Sequence, residues 1–175
     1  MQYFQNKINI SQYSFIFHFF GLYLHYSKQV ETDKFDLREI SQMGRKEEYK
    51  FKNEQFFASL RTKEEIQELP GGVLYRIINN GDGKGQVRDN SVVTVHYKGS
   101  LINGRVFDNS RERNCPEAFR VNGLIDGFRI ALLNMHIGDR WEVYIPYDLG
   151  YGKRSNGEIP GFSTLIFDIE LINIA

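Results

Sequence analysis

The stretch Gly104-Arg105-Val106-Phe107-Asp108-Asn109-Ser110 sets a phenyl ring beside a carboxylate, downstream of the strand-like run Val92-Val93-Thr94-Val95-His96-Tyr97. Asn103-Gly104 lies between them. Asn-Gly between alternating hydrophobics predicts a hairpin with a type I′ turn, because both residues tolerate the positive φ that such a turn requires. The hairpin would bring Tyr97 next to Phe107 and Asp108. A phenol, a ring and a carboxylate converging on one sheet face suit a binding site, and they suit equally a core with one satisfied acid.

Other chemistries find little support. No Ser–His–Asp set, paired catalytic carboxylates or Cys–His pair stands at a recognisable spacing. His18, His25, His96 and His136 lack ligand spacing, and Cys115 is the only cysteine. That excludes an intrachain disulfide and a cysteine-based zinc site, so no metal and no cofactor are expected. Formal charge is zero, which leaves no bulk electrostatic drive toward nucleic acid. The glycines of Gly81-Asp82-Gly83-Lys84-Gly85 precede a strand rather than a helix, so they read as a loop and not a phosphate cradle. The residues that collect at strand ends and loops are instead aromatic and aliphatic: Tyr97, Phe107, Leu124, Ile125, Phe128, Tyr151, Ile159 and Phe167. Asp108, Arg113 and the two phenols are the few polar members, a combination typical of small-ligand sites.

The elements that must position these residues follow from hydrophobic periodicity. Val73 to Ile78 reads as a strand, as does Ala118 to Val121. Leu124 to about Leu133 is the one clear helix of the main domain, with Leu124, Phe128, Ala131, Leu132 and Met135 in one stripe over a sheet. Its start leaves Ile125 with a free backbone N–H. Trp141, Val143 and Ile145 alternate on the buried face of a further strand, and Tyr147 to Gly152 turns Tyr151 toward a loop mouth. Leu165, Phe167, Ile169 and Leu171 share one face of the last strand, Asp168 and Glu170 the other. The fold class is α+β: a curved antiparallel sheet wrapped over one short helix.

Upstream, residues 45–69 read as a helical arm. Tyr49, Asn53, Phe56 and Leu60 recur at helical spacing, and Thr62-Lys63-Glu64-Glu65 predicts a second short helix through a capping box, stopped by Pro70-Gly71-Gly72. A packing arm is favoured over a dimerisation helix. Residues 1–44 are an aromatic-rich leader and charged linker, with Lys7 the only charge in residues 1–26. Three readings of residues 1–26 stay open: a segment outside the working protein, with translation starting at Met43; an export or membrane-associating element; or a packed appendage. The expected location is cytoplasmic, with export or membrane association as the alternative if residues 1–26 are retained.

Five blocks then carry a resemblance. Val93-Thr94-Val95-His96-Tyr97-Lys98-Gly99, Gly104-x-x-Phe107-Asp108-Asn109-Ser110, Leu124-Ile125-x-Gly127-Phe128, Ile145-Pro146-x-x-Leu149-Gly150-Tyr151-Gly152 and Leu165-Ile166-Phe167-Asp168-Ile169-Glu170-Leu171 occur in the order, and near the spacings, of the FKBP-type peptidyl-prolyl cis-trans isomerases. Residues 70–175 resemble that family's domain, in a bacterial form with a helical N-terminal segment. The resemblance implies an isomerase of X-Pro bonds in folding polypeptides, or alternatively a weakly active or inactive chaperone-like binding module using the same groove. It implies a prolyl pocket lined by Tyr97, Phe107, Phe167, Leu124, Ile125 and Phe128, with Ile159 beside it. The Ile125 N–H and Tyr151 hydroxyl would bind substrate carbonyls, and Asp108 would form a polar rim ordered by Tyr97 and Arg113. Macrolide inhibitors and a homodimer are implied as further partners. The sequence departs from the family pattern at Phe128, where tryptophan is usual, at Glu117, where an aromatic is usual, and at Glu158, which replaces a hydrophobe. These departures imply a more polar rim and a lower rate or weaker macrolide binding.

Overall fold

The computed structural model describes residues 44–175; the expectations for residues 1–43 lie outside the described residues. Seven strands run in chain order as β1 (Gln67–Glu68), β2 (Leu74–Asn79), β3 (Val92–Leu101), β4 (Val106–Asn109), β5 (Glu117–Arg120), β6 (Arg140–Ile145) and β7 (Leu165–Ile174). Among the described residues two α-helices join them, α1 (Arg45–Leu60) and α2 (Asp126–Leu133). The sheet order is β1-β2-β6-β7-β3-β4, with β5 also paired to β3, and every pairing is antiparallel. This is the α+β arrangement expected from the alternating pattern.

Strand alternation places Val93, Val95 and Tyr97 of β3, Trp141, Val143 and Ile145 of β6, and Leu165, Phe167, Ile169 and Leu171 of β7 in one core. Phe128, Ala131 and Leu132 of α2, with Met135 after it, fill that core from the helix side. Gly127 allows the close approach: a Cβ there would lie 2.2 Å from Ile145 Cγ2. On the outer side of β7, Arg140 donates to both oxygens of Asp168, from Nε at 2.9 Å and Nη2 at 2.6 Å. Arg111 bonds Glu170 at 2.7 Å.

The opposite face of the sheet is covered by α1, whose Phe57 and Leu60 form a second apolar cluster with Leu74 and Tyr144. Asn53 is fully buried there. Its Nδ2 donates to the Tyr49 carbonyl at 2.9 Å, and its Oδ1 accepts from the Thr164 N–H at 2.8 Å. The amide thus satisfies a backbone group that the helix would otherwise strand in an apolar contact.

Local structure differs from expectation in three places. Residues 62–69 do not form a helix. Thr62 Oγ1 instead donates back to the Ser59 carbonyl at 2.8 Å, closing the end of α1. Gln67 and Glu68 pair with Tyr75 and Leu74 across a reversal in which Gly71 and Gly72 take φ of 90° and 88°. A stretch this short cannot repay helix nucleation, whereas the sheet offers ready partners. The β3–β4 turn is not type I′, because only Gly104 has positive φ, at 83°. Gly104 N–H bonds the Leu101 carbonyl and Leu101 N–H the Arg105 carbonyl, each at 2.9 Å, giving a three-residue loop with a left-handed last residue. Finally, α2 begins at Asp126, since Leu124 (ψ 163°) and Ile125 (ψ 146°) are extended.

Candidate functional site

A cavity of about 520 Å³ opens between the β3, β4 and β7 side of the sheet and the start of α2. Four strands and the start of α2 contribute through their pleats and turns. Tyr97 comes from β3, Phe107 and Asp108 from β4, Phe119 from β5, and Phe167 from β7. Leu124 and Ile125 lead into α2, Phe128 projects from its first turn, and Tyr151, Asn156, Glu158 and Ile159 form the far lip.

The aromatic rings hold one another at fixed angles. Phe128 meets Phe167 edge-on at 5.0 Å and 83°, and meets Tyr97 at 6.1 Å and 89°. Phe107 meets Phe167 at 5.6 Å and 84°. Phe119 lies 5.7 Å from Tyr97. Edge-to-face contacts of this kind fix ring planes as well as burying area. Gly99 makes room beneath them, since a Cβ there would sit 2.5 Å from Phe107 and 2.8 Å from Phe167.

The polar edge is a connected network. Tyr97 donates its hydroxyl proton to Asp108 Oδ2, while Arg113 donates to Asp108 Oδ1 at 2.5 Å and also to Glu117. Burial raises the Tyr97 phenol, and its bond to Asp108 adds to the effect, so the phenol remains a donor. Burial alone pushes the Asp108 carboxyl up, but bonds from Tyr97 and Arg113 outweigh it and hold the group below the usual carboxylate range. Tyr97 is further pinned at its backbone, where its N–H donates to Ser110 Oγ at 2.8 Å. Tyr151 is raised by burial and then by the charge of Asp108. Among the described residues neither its hydroxyl nor the Ile125 N–H has a protein hydrogen-bond partner. Two residues that line the cavity, Ile125 and Tyr151, thus carry donors with no protein partner among the described residues.

The cavity gathers Tyr97, Phe107, Asp108, Leu124, Ile125, Phe128, Tyr151, Ile159 and Phe167. Arg113 stands behind Asp108 and does not line it. Glu117 is likewise outside, occupied by Arg113, whereas Glu158 is on the lip and its carbonyl accepts from Arg105. Phe119, Asn156 and Gly99 escaped the sequence reading. The Val93↔Phe119 pairing puts Phe119 beside the pocket, and that register depends on a loop without sequence markers. A glycine inside a strand does signal close approach, and Gly99 was legible on that ground. No group of three or more His, Cys, Asp or Glu among the described residues could hold a metal ion.

Comparison with known proteins places the same region in one family. Residues 83–172 match the description FKBP-type peptidyl-prolyl cis-trans isomerase, and the chain belongs to that family. It is 46% identical over 113 residues to the FKBP-type 22 kDa peptidyl-prolyl cis-trans isomerase of Escherichia coli (strain K12), covering 64% of this chain and 54% of that protein. It is 42% identical over 129 residues to the outer membrane protein MIP of Legionella longbeachae, covering 73% and 55%. A crystal structure of a peptidyl-prolyl cis-trans isomerase from Pseudomonas syringae pv. tomato str. DC3000 superposes with a TM-score of 0.69 at 34% identity, covering 76% of this chain and 98% of that one. The chain thus spans about half the length of the curated relatives it matches.

Proposed function

We propose that this chain accelerates cis-trans rotation about X-Pro bonds in proline-containing polypeptides. The observation that carries the reading is the ring-lined cavity with two unpartnered donors, Ile125 N–H and Tyr151 hydroxyl, at its edge. An amide resists rotation by about 18–20 kcal/mol because its C–N bond has partial double-bond character. As the bond twists, resonance is lost and the carbonyl becomes less dipolar. A dry aromatic pocket therefore favours the twisted amide over the planar one, by binding that geometry selectively. No covalent bond forms or breaks.

In this reading the prolyl ring sits on Phe128, between Tyr97, Phe107 and Phe167, with Leu124 and Ile159 closing the sides. Ile125 N–H and the Tyr151 hydroxyl donate to substrate carbonyls, each contributing about 1 kcal/mol net. Asp108 forms the polar rim, and Arg113 positions it from behind. Phe128 offers a smaller floor than an indole and no N–H, so the reading carries a modest rate and weak macrolide binding in the same cavity. A homodimer would have to use surfaces other than Phe57 and Leu60, which α1 commits to its own sheet. The arm at residues 45–69 and the domain at 70–175 would work as one unit. The name of the Legionella relative supports export or membrane association over a cytoplasmic location. Among the described residues no helix is long and apolar enough to cross a membrane.

A protease-coupled assay on an X-Pro tetrapeptide tests the proposal. Isomerisation faster than the uncatalysed rate at micromolar protein is the expected result. Binding without acceleration would leave the alternative, a protein-binding module.

A further inference from the structure

A second concavity, of about 550 Å³, lies on the other side of the loop that forms the lip of the prolyl cavity. Residues 156, 158 and 159 of this loop face the prolyl cavity, whereas Lys153, Arg154 and Gly161 face the second one. Arg45, Lys46 and Tyr49 of α1 form its opposite wall. Four cationic side chains therefore surround one hollow, and no carboxylate lines it.

Arg61, Arg76, Arg111, Arg113, Arg129 and Arg140 are taken up by carboxylates, whereas Arg88 and Arg120, away from the hollow, have no ion pair among the described residues. Arg45, Lys46, Lys153 and Arg154 have no ion pair among the described residues. Glu47, next to Lys46 in sequence, folds back toward Gly44 and does not line the hollow. The walls are also braced. Tyr49 hydroxyl and Ser163 Oγ are 2.8 Å apart, tying α1 to the loop's end. Phe162 holds a left-handed φ of 65°, which is unfavourable for an aromatic residue. Its N–H bonds the Gly152 carbonyl at 2.9 Å, closing the loop, and its ring lies under the Lys46 and Lys50 ammonium groups at 5.5 and 5.6 Å. The four side chains are solvent-exposed, so water screens their mutual repulsion, and an anion entering the hollow would meet several of them together.

We infer that this basic hollow is a subsite for acidic side chains of the same polypeptide whose proline occupies the aromatic cavity. The inference rests on the isomerase reading and adds a charge preference to it. The two hollows share a loop in which Arg154 and Asn156 are two residues apart, so an extended substrate advancing about 3.3 Å per residue crosses from one to the other within a few residues. The Arg guanidinium forks suit carboxylates, and the flanking lysines add point charge.

The test compares kcat/KM for X-Pro peptides carrying a Glu triplet a few residues before the proline, after it, or not at all, using the full chain. One of the two acidic peptides is expected to react about 5–10-fold better than the neutral one at low salt, with the advantage lost near 0.5 M salt, about the range where screening shortens below 5 Å. In Arg45→Glu/Lys46→Glu, and separately in Arg154→Glu, activity on the neutral peptide should persist while the acidic preference disappears or reverses. Equal rates for all peptides would overturn the inference, as would a preference that survives both variants. Binding of the chain to anionic phosphatidylserine vesicles, lost in the same variants without any peptide preference, would overturn it in favour of a lipid surface. No turnover of the neutral peptide by the unaltered chain would instead contradict the isomerase reading.

Discussion

Asp108 is the residue whose partners most sharply separate function from folding. Its two oxygens are taken by Tyr97 and Arg113, yet the carboxylate is about a third exposed, at 37%. A partly exposed ion pair contributes little to stability after solvent screening. Asp108→Val is therefore expected to lower kcat/KM at least tenfold, while costing only about 1 kcal/mol of stability, mainly from the unpartnered Tyr97 hydroxyl. Losses of similar size in both, measured by peptide assay and urea unfolding, would make the residue structural. The pH dependence has a definite sign. A carboxyl held below its unfolded value stabilises the fold above that value, about pH 3.9, and the gain fades as pH falls through the folded value. The stability gap between the native chain and Asp108→Asn should be constant above about pH 5 and should close below about pH 4, as urea titrations at stepped pH would record. A gap that widened on acidification would contradict the assignment.

At the scale of elements, the β3–β4 hairpin carries two glycines with opposite needs. Gly99→Ala would push a methyl to within 2.5 Å of Phe107 and drive that ring into the cavity. Overpacking of this kind costs about 1–3 kcal/mol, and here it should raise KM as well. Gly104 has open space around its Cα but a φ of 83°, so Gly104→Ala should cost about 1 kcal/mol without changing kinetics. Comparing the two variants by thermal melting and steady-state kinetics checks the distinction; a kinetic defect in Gly104→Ala would contradict it. The same hairpin shows what the sequence could and could not reveal. Alternation in Val92–Tyr97 and Leu165–Leu171 made the strands and the converging Tyr97, Phe107 and Phe167 readable, because burial follows a period of two. The turn type was misread, because Asn103-Gly104 suits either loop and tertiary register decides between them. Thr62–Glu65 failed for a related reason: capping chemistry is local, and the Gly71-Gly72 reversal redirected the chain into the sheet. Phe119 was hidden because nothing local sets the register of β5.

Across the whole molecule, the catalytic proposal needs only one end of the sheet, while α1 secures the other face. All residues lining the aromatic cavity lie from Tyr97 to Phe167. A chain beginning at Gly44 should therefore keep kcat/KM on a short peptide within about twofold of the full chain. A larger loss would show that residues 1–43 contribute to the site. Leu60→Ala, which opens the contact with Leu74 and Tyr144, should cost about 2–5 kcal/mol in unfolding while leaving the activity of the folded fraction intact. The residues lining the cavity fall inside the stretch that matches the family, residues 83–172. Rate is the quantity that separates an isomerase from a binder, and under the proposed function Phe128 would be the residue that limits it. The most direct measurement is two-dimensional exchange NMR on an X-Pro peptide with substoichiometric protein, which observes cis and trans populations without a protease. The unaided bond interconverts in tens to hundreds of seconds. Strong cis–trans exchange peaks within a sub-second mixing time, absent with Asp108→Val, are the expected result. Peptide shift changes that report binding, with exchange no faster than in buffer, would contradict the central claim.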